Sequence, residues 1–298
     1  MFYFLSLFAG IIITVMVAVN GLLSGVYGIY VAAIIIHVVG LVFIGTVVLV
    51  RGENPFRKWH PWFFYLGGAI GVMTTVSNNF AFGRISVSSI MALGLLGQSL
   101  TGILIDHYGL LGMPKHRLNK SKWVGIVLVL MGILAMTDVT NFELTAILVS
   151  FIAGVCIVSS RTFNAKLTAV TSSGVSTFFN YVVGLLGCLL VFLLLGRGEP
   201  GGFSFTAFPI YMYFGGLLGV AVVFLFNVLV VKISAFYMTL FVFVGQVFSG
   251  VAIDFWLDGF FSVRILIGGI FAALGMCWNL YADTRTLSAV VGGDDAVD

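Results

Sequence analysis

Two glutamines, two aspartates, one arginine, one histidine and several asparagines stand inside or at the ends of long apolar runs in this 298-residue chain. In a bilayer such groups are costly and turn toward a bundle interior or a water-filled cavity, so each is a candidate for handling a polar solute. Gln98 and Gln246 lie mid-run, and each has a hydroxyl residue, Thr101 or Ser249, three positions on and on the same helix face. Amides so placed can line a pathway from two sides, or tie neighbouring helices together by hydrogen bonds. Arg161 offers the forked donor geometry that suits a carboxylate. From about one turn inside its run, it can alternatively snorkel to the membrane surface. Ser150, Gly154, Arg161 and Asn164 share one helix face. His37 titrates in the physiological range and can carry a coupling proton, or it can simply bond a neighbouring helix. Asn20, Asn180, Asn79 and Asn227, with Asn78 beside them, complete the cavity-lining candidates. Asp106 and Asp254 fall at run ends, where a carboxylate is either solvated or acts as a gate that pairs with Arg or Lys in one conformation only.

These residue types do not assemble into a catalytic or metal-binding pattern. The sequence has no His/Asp/Glu cluster at metal spacing and no nucleophile with a base near it, so neither an enzyme nor a cofactor is expected. Cys156, Cys188 and Cys277 sit in apolar runs without paired or ligand spacing and read as small hydrophobes. The net charge of +3 is small and its basic residues are scattered, which argues against a nucleic-acid partner.

The elements that must hold these groups are transmembrane helices. Hydrophobic residues make up 60% of the chain, charged residues only 8%, and the mean hydropathy is +1.16. A soluble domain carries about one-quarter charged residues, so the composition leaves no ordinary aqueous surface. Ten runs reach the roughly 20 residues that a helix needs to cross the hydrocarbon core. Their limits are 2–24, 29–50, 61–82, 86–105, 121–138, 143–165, 173–195, 208–231, 235–255 and 262–282. No basic segment precedes the first run, so it reads as a retained span rather than a cleaved signal. All five prolines fall in loops or at span starts. With the N-terminus inside, ten Lys and Arg fall on cytoplasmic segments and three on the opposite face, which places both termini in the cytoplasm.

The chain also repeats itself. "GQSLTGILID" at 97 returns as "GQVFSGVAID" at 245. Asn20 and Gly40 match Asn164 and Gly184, 144 positions on. Pro61, Tyr65, Gly67, Gly68, Gly71 and Asn79 match Pro209, Tyr213, Gly215, Gly216, Gly219 and Asn227 at an offset of 148. Residues 1–138 form the first five-helix unit, 139–285 the second, and 286–298 a disordered polar tail. An odd number of spans per unit inverts the second copy, giving a pseudo-two-fold axis in the membrane plane. Inverted repeats are a recurring plan of secondary transporters, with the site at the repeat interface.

The segment "GQSLTGILIDHYGLLGMPKHRLNKSKWVGIVLVLMGILAM", with its partial second copy "GQVFSGVAIDFW", resembles the signature of the YdcZ-like family of the drug/metabolite transporter superfamily. Members are often single five-span units, and this chain is similar to two of them fused. The second copy lacks the counterpart of His107 and the basic loop that follows it. The resemblance implies an all-α, ten-helix integral membrane fold of two inverted repeats, in the bacterial inner membrane, as monomer or homodimer. It implies export of a small solute. Small multidrug exporters of the same superfamily use a membrane-embedded glutamate in their first helix, which this chain lacks. The available Asn, Gln, His and Arg suit a neutral, zwitterionic or anionic metabolite better than a lipophilic cation. The competing readings are a structural subunit without a cavity and an enzyme acting on lipid carriers.

Overall fold

A computed structural model describes residues 1–112, 122–136, 143–196, 209–229, 232, 235–259 and 263–291. Ten α-helices follow in order: α1 (Phe2–Tyr27), α2 (Ile29–Val50), α3 (Leu66–Ala81), α4 (Val87–Tyr108), α5 (Lys122–Met136), α6 (Leu144–Val170), α7 (Ser173–Leu195), α8 (Phe214–Leu229), α9 (Ala235–Asp258) and α10 (Val263–Val291). Among the described residues no strand is present. In lipid the backbone must satisfy its own hydrogen bonds, and a helix does so within one segment. Five segments are long and apolar enough to span by themselves, and shorter apolar helices account for most of the rest.

Local signals set the helix starts, and one of them recurs in both halves. Pro61 and Pro209 precede short 3-10 turns (Trp62–Tyr65 and Ile210–Tyr213) that lead into α3 and α8. Ser86 and Ser172 cap α4 and α7, each accepting a hydrogen bond from the amide three residues on. Most limits fall within a few residues of those read in the sequence, but two C-terminal ends lie further on. Helix α6 continues to Val170, five residues beyond the expected 165, and α10 continues to Val291. The first six positions of the stretch read as a tail, 286–291, are therefore helical, while 292–298 lie outside the described residues.

The packing follows the repeat. Helix α1 packs on α9 as α6 packs on α4, α5 pairs with α10, and α2 meets α7 near the pseudo-axis. Helix α3 leaves its own unit to pack against α6 and α7, and α8 packs against α1 and α2 in the equivalent way. Each half of the bundle thus contains helices from both repeats. Glycines allow the closest approaches. A Cβ on Gly154 would strike the Gly94 carbonyl of α4, and one on Gly245 would strike the Leu7 carbonyl of α1. Gly154→Ala is accordingly expected to cost about 1–3 kcal/mol, as overpacking typically does. Gly25→Ala, where an added Cβ meets nothing within 4 Å, is expected to be neutral or slightly stabilising. Thermal unfolding of the two purified variants in detergent tests this, and equal losses would contradict it.

Candidate functional site

At the centre of the bundle, α1, α2, α3, α6, α7 and α8 surround a cavity with about 990 Å³ of atom-free space, its open mouth included. Its polar lining comprises Asn20, His37, Thr74, Thr75, Asn78, Ser160, Arg161, Asn164, Asn180, Tyr181 and Asn227. Its apolar lining includes Ile13, Met16, Ile36, Val222, Val223 and Phe226.

Arg161 is the charged group of this lining. Because α6 runs to Val170, the guanidinium departs from a position nine residues inside the helix end, about 13 Å along the axis at 1.5 Å per residue. The guanidinium lies over the Phe226 ring, 4.0 Å from its centroid, and its Nη2 donates to Gln98 Oε1 at 3.4 Å. Its Nε, although buried, has no protein acceptor. The ion pairs among the described residues are Arg51–Glu53 and Arg84–Glu143, so no carboxylate neutralises Arg161. A desolvated cation without a counter-ion is expensive, and an anionic ligand would relieve it.

A polar cluster extends from the arginine. Asn164 Nδ2 donates to Asn180 Oδ1 at 2.9 Å and approaches Ser160 Oγ at 3.5 Å, while Ser160 Oγ donates to the Gly67 carbonyl at 2.7 Å. Asn227 Nδ2 donates to Thr177 Oγ1 at 3.2 Å. Asn20 Oδ1 and Thr74 Oγ1 are buried and have no partner. The His37 Nδ1 lies 2.8 Å from the Ala33 carbonyl, a contact that favours the Nδ1–H tautomer, and 3.3 Å from Cys188 Sγ. Across the pseudo-axis His37 faces its repeat partner Tyr181, with ring centroids 5.6 Å apart. Glycine makes room for both rings: a Cβ on Gly184 would meet the His37 imidazole, and one on Gly40 would meet the Tyr181 ring.

Of the candidates named from the sequence, Asn20, His37, Arg161, Asn164, Asn180 and Asn227 come together around the cavity. Gln98 stands behind it and reaches it through Arg161. Gln246 does not line it: the side chain is buried and its Oε1 is unpartnered. Asn79 is turned away and donates to the Ile29 carbonyl at 3.3 Å, and Asn78 lines the cavity in its place. The face expected for α6 meets two surroundings along its length. Ser150 and Gly154 pack toward α4, and Arg161 and Asn164 face the cavity.

The two aspartates separate as well. Asp254, for which a solvated position was one expectation, is buried against the start of α4. Its carboxylate accepts from the Val87 amide at 2.8 Å, from the Ser88 amide at 3.0 Å and from the Ser88 hydroxyl. The positive end of α4 and its free amides suit a carboxylate. The side chain of Asp106 lies outside the described residues. Glu53, which accepts from the Ser172 hydroxyl at the start of α7, is not among the residues singled out from the sequence. Thr74, Thr75, Ser160 and Phe226 were likewise not singled out as cavity residues. Cys188, read as filler, is the neighbour of His37.

An all-helical bundle built from two inverted repeats around a central polar cavity defines a membrane transporter. A family model described as "Putative inner membrane exporter, YdcZ" matches the chain twice, over residues 1–135 and 145–280. The chain belongs to this YdcZ family of the drug/metabolite transporter superfamily. No curated protein matches it. One solved structure, described only as a crystal structure of a protein, is similar with a TM-score of 0.66, covering 92% of this chain and 96% of its own at 13% identity. At that identity the likeness shows the fold.

Proposed function

We propose that this protein is a secondary transporter that moves a small anionic or zwitterionic metabolite by alternating access, in the direction of export. The observation that carries the reading is Arg161, a half-buried cation with a buried, unpartnered Nε and no carboxylate partner among the described residues, set at the edge of a cavity that both repeats line. Asn164, Asn180, Asn78 and Asn20 supply further hydrogen-bonding groups around a bound solute. The pairing of α2 with α7 near the pseudo-axis leaves two nearly equivalent halves able to exchange conformations. By the distribution of Lys and Arg, both termini lie in the cytoplasm. On that orientation Asp254 and the start of α4 close the outer face.

Two experiments test the proposal. Proteoliposomes holding the full chain are to be screened for uptake across a metabolite panel, with and without a pH gradient. Anionic or zwitterionic solutes are expected to be carried. Transport of a quaternary cation that is abolished by substituting Asp106 or Asp254 would sink the reading. Cysteines placed at Asn20 and Asn164, which line the cavity from the two repeats, are expected to be labelled by membrane-impermeant reagents from alternating sides. Protection under every condition would favour a structural role instead.

A further inference from the structure

The cavity has two chemically unlike walls, which duplication by itself does not produce. Helices α3, α6 and α7 pack on one another to form one wall, and α1, α2 and α8 form the other. The pseudo-axis relates the two, so each position on one wall has a repeat partner on the other. On α1 and α2 stand Met16, Val17 and Ile36, where α6 and α7 carry Ser160, Arg161 and Asn180. On α3 stand Thr74, Thr75 and Asn78, where α8 carries Val222, Val223 and Phe226. In all six pairs the polar member belongs to the α3–α6–α7 wall. That wall takes one helix from the first repeat and two from the second, so polarity follows the wall and not the repeat. Positions that shape the cavity remain alike, as Ile13 and Ile157, Asn20 and Asn164, and Gly71 and Gly219 show.

The polar wall holds unused bonding capacity in Arg161 Nε and Thr74 Oγ1, and the other wall, otherwise apolar apart from His37 and Asn227, in Asn20 Oδ1. Phe226 joins the walls, with its ring beneath the guanidinium at 4.0 Å. We infer that the cavity selects an amphipathic organic monoanion: a carboxylate held at Arg161 among the hydroxyls and amides of α3, α6 and α7, with an apolar body lying on α1, α2 and α8. The inference rests on the transport reading and narrows it to solutes with a hydrocarbon body. An inorganic anion or a short dicarboxylate would leave the apolar wall against water or charge, which binding does not reward. A lipophilic cation would be repelled by the uncompensated guanidinium.

The test uses the purified full chain in detergent, titrated with straight-chain monocarboxylates from acetate to hexanoate and with dicarboxylates of matching length. Binding is read by thermal shift, and uptake is measured in proteoliposomes. Affinity is expected to tighten about threefold to fourfold for each methylene that enters the apolar wall. Matching dicarboxylates are expected to bind roughly tenfold or more weakly, since their second charge meets apolar surface. Val222→Thr with Val223→Thr, which gives α8 the residues that α3 carries, is expected to flatten the chain-length slope. Carboxylate binding without a chain-length slope overturns the amphipathic assignment while the transport reading stands. Uptake of other solutes without any carboxylate binding overturns it equally. Absence of both binding and uptake across the panel overturns the assignment and the transport reading together.

Discussion

Replacing Arg161 with glutamine is expected to reduce uptake of an anionic substrate by about 30-fold or more while leaving the folded protein at least as stable. The loss follows from the cost of about 2–5 kcal/mol for truncating one member of a desolvated charge pair. The stability follows from the opposite side of the same fact. With no substrate bound, no carboxylate among the described residues offsets the guanidinium, so its removal takes an uncompensated charge out of the bundle. The contact with Gln98 and the cover over the Phe226 ring are lost, but both are weaker terms. Arg161→Lys keeps the charge and discards the fork, so an intermediate uptake is expected. Initial rates in proteoliposomes and unfolding temperatures in detergent are to be measured on the same preparations. A variant that keeps wild-type uptake, or one that loses uptake only because it unfolds, would overturn the role given to Arg161.

Asp254 is expected to show the reverse pattern, with stability lost first. Its carboxylate satisfies two amides and a hydroxyl at the start of α4, all buried. Asp254→Ala strands those donors, at an expected cost of about 3–5 kcal/mol. Asp254→Asn keeps the shape but turns an acceptor into a donor that faces donors, so it is expected to recover less than half of the loss. Ser88→Ala removes a single bond and is expected to cost about 1 kcal/mol. Because that last variant should remain folded, it can test whether the contact also gates access. A cysteine at position 98 is expected to be labelled faster from the α4 N-terminal face in Ser88→Ala than in the parent. Unchanged labelling would reduce Asp254 to a structural tie.

The comparison of sequence with structure turns on what a pattern of residue types can encode. Apolar run lengths report the bilayer thickness, which is why the ten spans were readable within a few residues at most ends. Ordered matches such as Gly40 with Gly184 reported the duplication, and each of these glycines admits a ring carried by the other half. Rotation about a helix axis was less readable. Asn78 and Asn79 are adjacent and differ by about 100° around the helix, and only the packing of α3 against α6 and α7 decides which one meets the cavity. The end of α6 is legible only to within five residues, because polar residues near Lys166 resemble the end of a span, whereas the helix continues to Val170. Asp254 was unreadable for a different reason. Its partners are backbone amides 166 and 167 positions away, and amides leave no mark in a sequence.

Fusion of the two units has a consequence for how a solute sits. Two identical five-helix chains would present the same residues on both walls, and a bound molecule could lie either way round with equal energy. In the joined chain position 17 is valine where 161 is arginine, and position 78 is asparagine where 226 is phenylalanine. Such differences remove the twofold degeneracy of poses. On the proposed transport reading, a solute with unlike ends would have a single resting orientation, with its charged end toward the same group of helices during its passage.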